Sequence, residues 1–359
     1  MKNRTLLLLF FCSPIFIQCT QVSSSSEGQK EEVLESLANG FALTQFMDFQ
    51  GRASDLETAI ASFCEAPTEE TWVPAQKAWK EARITQKRFQ IIQFGPIKEY
   101  PLRLGPLLDT WPVNEAAIET LVEEESPLTQ EAFESKGSKH RGMPVLEYLL
   151  WTGEPDTWSA MASDGRRCEV LQAVAKDLVF NGNRLVTSWE EDWIPQLTGV
   201  DPEGQYKTLD DAMDEWVNRM AFTVENIRIN KLEKPAGYPK ENSPKPDVLE
   251  SPYSDHSLED AIVALEGVAL VWAGDESLGT EGVSTLVNSL SLRLNMNEAL
   301  ENAKDALSQI PAPLSESIET GYGPIMEART ALKDLQGLLQ GEVASQVGVK
   351  LSFNDGDGD

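Results

Sequence analysis

The chain has 359 residues, and its hydrophobic content of 41% excludes a disordered protein. At the usual size of about 150 residues per domain, that length predicts two domains. Its 58 acidic against 30 basic residues give a net charge of -28, spread along the chain, and a surface of that sign repels phosphate backbones and excludes nucleic acid as a partner.

Lys2 and Arg4 precede two apolar runs, 6–11 and 15–17, which together predict an export signal over residues 1–18. A spanning helix needs about 20 apolar residues, and here Ser13-Pro14 interrupts the run. Cys19 followed by Thr20-Gln21-Val22 and four serines is the order of a bacterial lipoprotein leader. It predicts a lipid on Cys19, a flexible spacer over 19–30 and membrane contact through that anchor alone. Phe16-Ile17-Gln18 departs from the small residues favoured before such a site, so ordinary signal cleavage is the alternative. Either route exports the protein. In an oxidising compartment Cys64 and Cys168 can pair, and two separate buried thiols fit the sequence equally. No Cys/His spacing of the zinc type occurs.

From residue 31 the apolar periodicity is helical, without alternating strand patterns. Leu34, Leu37, Phe41 and Phe46, then Leu56, Ile60 and Phe63, mark the first helices. Thr71 opens a helix over 72–94 that carries Trp79, Arg83 and Phe89 and stops at Gly95-Pro96. The four prolines of 96–114 predict an irregular loop, with Asn114 placed to cap a helix over 115–122. After a polar loop at 134–141 and the apolar segment 142–151, a long amphipathic helix covers 166–193 and ends before Pro195. These elements predict an N-terminal helical domain over 31–204. Helices over 209–232, 258–272, 282–309 and 314–342 follow, with a Pro- and Ser-rich loop at 234–255. Four helices with mostly short connections predict an up-and-down bundle over 205–359. The fold class is all-α, as two helical bundles in tandem. Phe94-Gly95-Pro96-Ile97 and Tyr322-Gly323-Pro324-Ile325 hint at a duplication, though four residues are too few to establish one.

The segment Gly142-Met143-Pro144-Val145-Leu146-Glu147-Tyr148-Leu149-Leu150-Trp151 is apolar apart from one carboxylate. An acid on a burying face must be hydrogen-bonded, paired or used, which makes Glu147 the leading candidate. Positions 144 and 147 share a helix face. Pro144 suits a first helical turn and offers no ligand atom. His140 and His256 are the chain's two histidines, neither in a nucleophile motif, and no phosphate-cradling glycine loop occurs. Asp355, Asp357 and Asp359 imitate the first ligands of a calcium loop without the rest of the set.

Several segments, in order, resemble the imelysin-like family. They are Ala78-Trp79-Lys80-Glu81-Ala82-Arg83 with Phe94-Gly95-Pro96; Leu108-Asp109-Thr110-Trp111-Pro112; and the stretch 142–151, which is similar to the family's Gly-x-His-x-x-Glu signature with Pro144 in the histidine's place. Glu250-Ser251-x-x-Ser254 before Ser257-Leu258-Glu259-Asp260, and the end from Gly348 through Phe353-Asn354-Asp355 to Asp359, complete the match. The resemblance implies an exported two-domain helical protein with a site between its domains near Glu147. It also implies a part in bacterial iron uptake, with membrane components of that system as partners. Some relatives were described as metallopeptidases. A zinc peptidase needs about three protein ligands, a water and a base, and His-x-x-Glu supplies two candidates, of which one survives here.

Where the family usually has a Glu, this chain has Gln90, a poor ligand for a hard or transition cation. The resemblance therefore implies a retained scaffold with a thinned ligand set, and no metal cofactor is assigned. The expected ligand-binding residues are Glu147, Arg83, Gln90, Asp109, Glu250 and Ser254. Arg83 would pair with Glu147 or grip an anionic ligand; Asp109 would join the site or cap a loop. Glu250 and Ser254 would approach Glu147 across the cleft, and Ser257 or Asp255 would cap a helix. His140 is expected at the surface. The expected function is a binding or accessory component rather than an enzyme. The alternatives are a metallopeptidase and a surface module that stacks carbohydrate or protein on its tryptophans.

Overall fold

The computed structural model describes residues 26–152, 158, 159, 161, 164–238, 243–320 and 322–352. The leader, Cys19 and the terminal aspartates Asp355, Asp357 and Asp359 lie outside the described residues. Helix α1 (Ser26–Glu35) begins inside the stretch expected as spacer. Its Val33 and Leu34 are buried, and Lys30 pairs with Asp210 in the second half of the chain. A π-helical turn (Ser36–Leu43) carries it into α2 (Thr44–Glu65).

Helix α3 (Glu69–Arg88) starts earlier than Thr71, because Thr68 is its cap and Thr71 closes a capping box with it. A tight turn (Phe89–Ile91) and Gly95, at φ 63, end it. Asn114 caps α4 (Glu115–Glu123) by accepting from the Ala117 amide, as the sequence predicts. The apolar segment forms α5 (Met143–Trp151). Helix α6 (Gly165–Ser188) runs through a π turn (Trp189–Trp193) into a last helical piece (Ile194–Thr198), whose first turn accommodates Pro195. In the second half stand α7 (Leu209–Asn226) with a π turn (Ile227–Glu233), α8 (Ser257–Ala273), α9 (Leu290–Ser308) and α10 (Tyr322–Leu338).

Helices α2, α3, α5 and α6 pack as one four-helix ring, and α7, α8, α9 and α10 as a second. Helix α8 also lies on α3, and α1 on α7, so the apolar interiors of the two rings merge into one continuous core. Gly267 of α8 makes that approach possible, since a Cβ there would stand 2.1 Å from the Arg88 carbonyl oxygen. No strand occurs among the described residues, and no helix among them is long and apolar enough to cross a membrane.

Cys64 and Cys168 form a disulfide with Cα atoms 5.6 Å apart, tying the end of α2 to the start of α6. The pairing that the sequence leaves open is thus made. Trp79, Trp189, Trp216 and Trp272 are wholly buried and serve the core rather than a stacking surface. The two Gly-Pro phrases differ in structure: Gly95–Ile97 is a 3-10 turn, whereas Tyr322 opens α10.

Candidate functional site

On α3 the residues Trp79, Arg83, Gln86 and Lys87 fall on one buried face. Trp79 donates its indole N–H to the Met143 carbonyl at 2.9 Å, and Trp72 donates to the Leu150 carbonyl at 2.8 Å, so α3 holds both ends of α5. Gly142, at φ 84, enters α5 so close to the preceding loop that a Cβ would meet the Leu108 carbonyl oxygen at 2.4 Å. That glycine requirement puts Asp109 beside the signature helix. Just before it, Arg141 pairs with the buried Asp177 of α6.

Arg83 is fully buried and distributes its donors among three partners. Nε and Nη2 fork onto Asp260 of α8 at 2.8–3.2 Å, and Nη1 donates to Asp109 at 2.7 Å and Gln86 at 2.8 Å. Lys87 donates to Asp109 at 2.7 Å and Glu250 at 2.8 Å, and Lys231 also pairs with Glu250. Ser251 donates to Asp260 at 2.7 Å, and His256 Nδ1 lies 3.0 Å from the same carboxylate. The result is three cations and three carboxylates drawn from both rings.

Burial alone would drive all six toward neutrality. It raises Asp109, but Arg83 and Lys87 outweigh it and hold the carboxyl below its usual range. Glu250 is likewise raised by burial and lowered far more by Lys231, Lys87 and Arg83. Asp260 is held well below the ordinary carboxylate range, because Arg83 and the His256 hydrogen bond overcome its burial. Lys231 yields most: burial lowers it to about 8 in spite of Glu250.

Glu147 stands apart from this network. It is fully buried, and one oxygen accepts from the Ser254 amide at 2.8 Å and the Ser254 hydroxyl at 2.5 Å. Its Oε2 is buried without a partner among the described residues. Burial pushes the carboxyl up to about 7, against the two bonds from Ser254. The expected Arg83–Glu147 pair is therefore corrected: the guanidinium is consumed by Asp260 and Asp109, whose charges it balances more fully. Arg83 and Glu147 both lie beneath the surface instead of lining a cleft.

The open cleft lies to one side, with a volume of about 660 Å³. Gln86, Gln90, Asp109, Trp111, Asn226 and Glu250 line it, and Lys98, Arg103 and Arg219 also border it. Trp111 is fixed by donating to Asp109 at 2.6 Å. Gln90 donates to Asn226 at 3.4 Å, and its own oxygen is buried without a partner among the described residues. Gln90, Asp109 and Glu250 thus meet in the cleft, while Ser254 leaves it to seal Glu147. His140 is half-buried in the turn before α5, and burial lowers its pKa. Ser257 and Asp255 do not cap α8. His256 occupies the cap position, and the Ser257 hydroxyl turns back to the Glu250 carbonyl.

Sequence reasoning missed Lys87, Lys231, Ser251, His256 and Asp260. Lys87 carried a usable signal, since it lies one turn beyond Arg83 on the Trp79 face. Lys231 carried none. It sits in a π turn, where the extra residue rotates later side chains off the face that α-periodicity assigns them.

The signature's relatives imply a metal, and the residues around Glu147 do not fit one. Pro144 contributes no ligand atom, Ser254 occupies one Glu147 oxygen, and both Asp260 oxygens are taken by Arg83, Ser251 and His256. Among the described residues no group of three or more His, Cys, Asp or Glu is arranged to hold a metal ion.

Three comparisons bear on ancestry. The chain is similar to iron-regulated protein A of Synechococcus elongatus, at 23% identity over 346 residues, covering 92% of this chain and 89% of that protein. A solved structure described as an iron-regulated protein A precursor from Parabacteroides distasonis superposes with a TM-score of 0.79 at 19% identity, over 91% of this chain and 97% of that one. An imelysin-like protein from Psychrobacter arcticum gives 0.76 at 16% identity, over 92% and 98%. At these identities the two structures establish the fold alone. The family model of imelysin, peptidase family M75, matches residues 42–339, and the chain belongs to the imelysin family.

Proposed function

We propose that this imelysin-family protein is a binding component, not an enzyme, that takes its ligand in the cleft above the charge network and serves an iron-related uptake process. One observation carries the reading: the ionised groups on the cleft floor are already committed. Asp109 accepts from Arg83, Lys87 and Trp111, and Glu250 from Lys87 and Lys231. Carboxylates held this far below their usual range are poor proton acceptors at neutral pH. A floor locked by its own ion pairs instead offers a rigid surface to a ligand.

The relatives named as iron-regulated support the iron-related context. The leader-like start, with Cys19 as lipid attachment, and the Cys64–Cys168 disulfide support export to an oxidising compartment. Membrane components of an iron-uptake system are the partners this reading implies. The peptidase designation of the family favours the second reading, a metallopeptidase.

A thermal-shift screen of the mature chain against ferric chelates and polysaccharides tests the first reading, because a true ligand raises Tm with its concentration. A shift that disappears in Trp111→Ala supports binding in the cleft, and a polysaccharide hit would name a carbohydrate module. Stoichiometric zinc together with chelator-sensitive cleavage of casein or insulin would overturn the reading in favour of the peptidase.

A further inference from the structure

We infer that the cleft selects a small hydroxycarboxylate, free or as its ferric chelate, through Lys98, Arg103 and Arg219 at its mouth. This rests on the reading of the cleft as the ligand site. The chain carries a net charge of -28, yet the ionic groups bordering the cleft mouth are mainly cations. Lys98 and Arg103 are exposed, and neither has a carboxylate within 4.0 Å among the described residues. Both stand at the edge of the cleft, where an exposed cation can meet an entering anion.

Arg103 is also held in place. It is a non-glycine residue at φ 43, in the left-handed region that a side-chain-bearing residue rarely adopts. Its amide donates to the Glu99 carbonyl at 2.8 Å, and the next amide, of Leu104, donates to the Pro96 carbonyl at 2.8 Å. Its guanidinium lies 5.6 Å from the Tyr100 ring centre and donates to the Tyr100 hydroxyl at 3.0 Å. On the opposite wall, Arg219 lies 5.5 Å from the Phe222 ring centre. It donates Nε to Glu215 at 2.6 Å, leaving both terminal nitrogens without a protein partner among the described residues. Glu215 and Glu99 are the carboxylates near this rim, and both act on Tyr206.

The floor does not cancel this field, because Asp109 and Glu250 are neutralised by Arg83, Lys87 and Lys231. The buried oxygen of Gln90, which also lines the cleft, lacks a donor among the described residues. Carboxylates at the cationic mouth and a hydroxyl donated to Gln90 would satisfy both. A volume of about 660 Å³ far exceeds a single aquated ion and suits an organic anion or its chelate.

Titration calorimetry of the mature chain with citrate, ferric citrate and the neutral sugar maltotriose tests this, in the native protein and in Lys98→Glu/Arg103→Glu. Both positions are exposed, and circular dichroism checks that the double variant folds. The expected result is binding of citrate, ferric citrate or both, weakened at least about tenfold in the variant and weakened by added salt. Equal affinity for citrate and ferric citrate identifies the organic anion as the ligand; binding of ferric citrate alone identifies the chelate. Unchanged affinity in the double variant overturns the selection by charge. Binding of maltotriose with equal affinity in both proteins overturns the anion but keeps the cleft as a ligand site. No binding of any probe overturns both.

Discussion

Ser254 gives its amide and its hydroxyl to the same oxygen of Glu147, a carboxyl 107 positions earlier, and leaves the other oxygen buried without a partner among the described residues. Burial raises this acid from 4.5 to about 7, so the folded state holds the proton more tightly than the unfolded chain. As pH rises from 4.5 toward 7, the unfolded chain ionises first and the folded state loses relative stability. Glu147→Gln removes that titration. The variant should exceed the native protein by about 3 kcal/mol at about pH 8 and match it near pH 4.5 in urea unfolding. A constant difference at both pH values would mean that Glu147 is not a buried neutral acid.

Arg83 is the common partner of Asp260 and Asp109. Arg83→Met strands both carboxylates, and breaking a buried pair in this way costs about 3–5 kcal/mol. Arg83→Lys should also destabilise, because an ammonium cannot fork onto Asp260. By contrast, Lys77→Ala, which removes the exposed partner of Glu81, should cost less than about 1 kcal/mol. Thermal unfolding of the three variants would show the ordering, and equal losses at positions 83 and 77 would refute it.

The Cys64–Cys168 bond closes a loop with a sequence separation of 104. Loops of that size restrict the unfolded chain strongly, and the double serine variant should lose about 4–5 kcal/mol. Chemical denaturation with and without reductant measures it. The serine variant should be indifferent to reductant, whereas the native protein should not.

Pro144→His restores the family's signature residue. The new imidazole and the one Glu147 oxygen left without a partner among the described residues make two ligands, short of the about three that a zinc site needs, so the substitution should not by itself yield stoichiometric zinc. Adding Ser254→Ala frees the hydroxyl bond and should raise zinc uptake above that of the single variant. Elemental analysis after dialysis decides, and tight zinc in the single variant would show that the site survives intact.

The helical fold was legible because long apolar stripes such as Leu56, Ile60 and Phe63 record burial directly, and these residues are buried. Glu147 was legible as a lone acid among apolar neighbours. Its neighbourhood was only half legible. Ser254 was expected opposite Glu147, but Arg83 takes Asp260, a partner 177 positions away whose identity depends on how α8 docks on α3. Local periodicity carries no record of such docking. Nor does it record π turns, which is why Lys231 stayed hidden on a face that reads as apolar. The start of α1 was missed for another reason. Polar residues after a leader look the same whether they form a spacer or dock through Val33 and Leu34.

The charge network also has an arithmetic split between the rings. The first ring brings Arg83, Lys87 and Asp109, two cations and one anion; the second brings Lys231, Glu250 and Asp260, one cation and two anions. Each half therefore buries an unbalanced charge that only the other half cancels. Slipping α3 by one residue would turn Arg83 about 100° away from Asp260 and leave the surplus stranded in a dry interior. The six side chains thus act as the wards of a lock, admitting one alignment of the two helical rings and penalising every near miss.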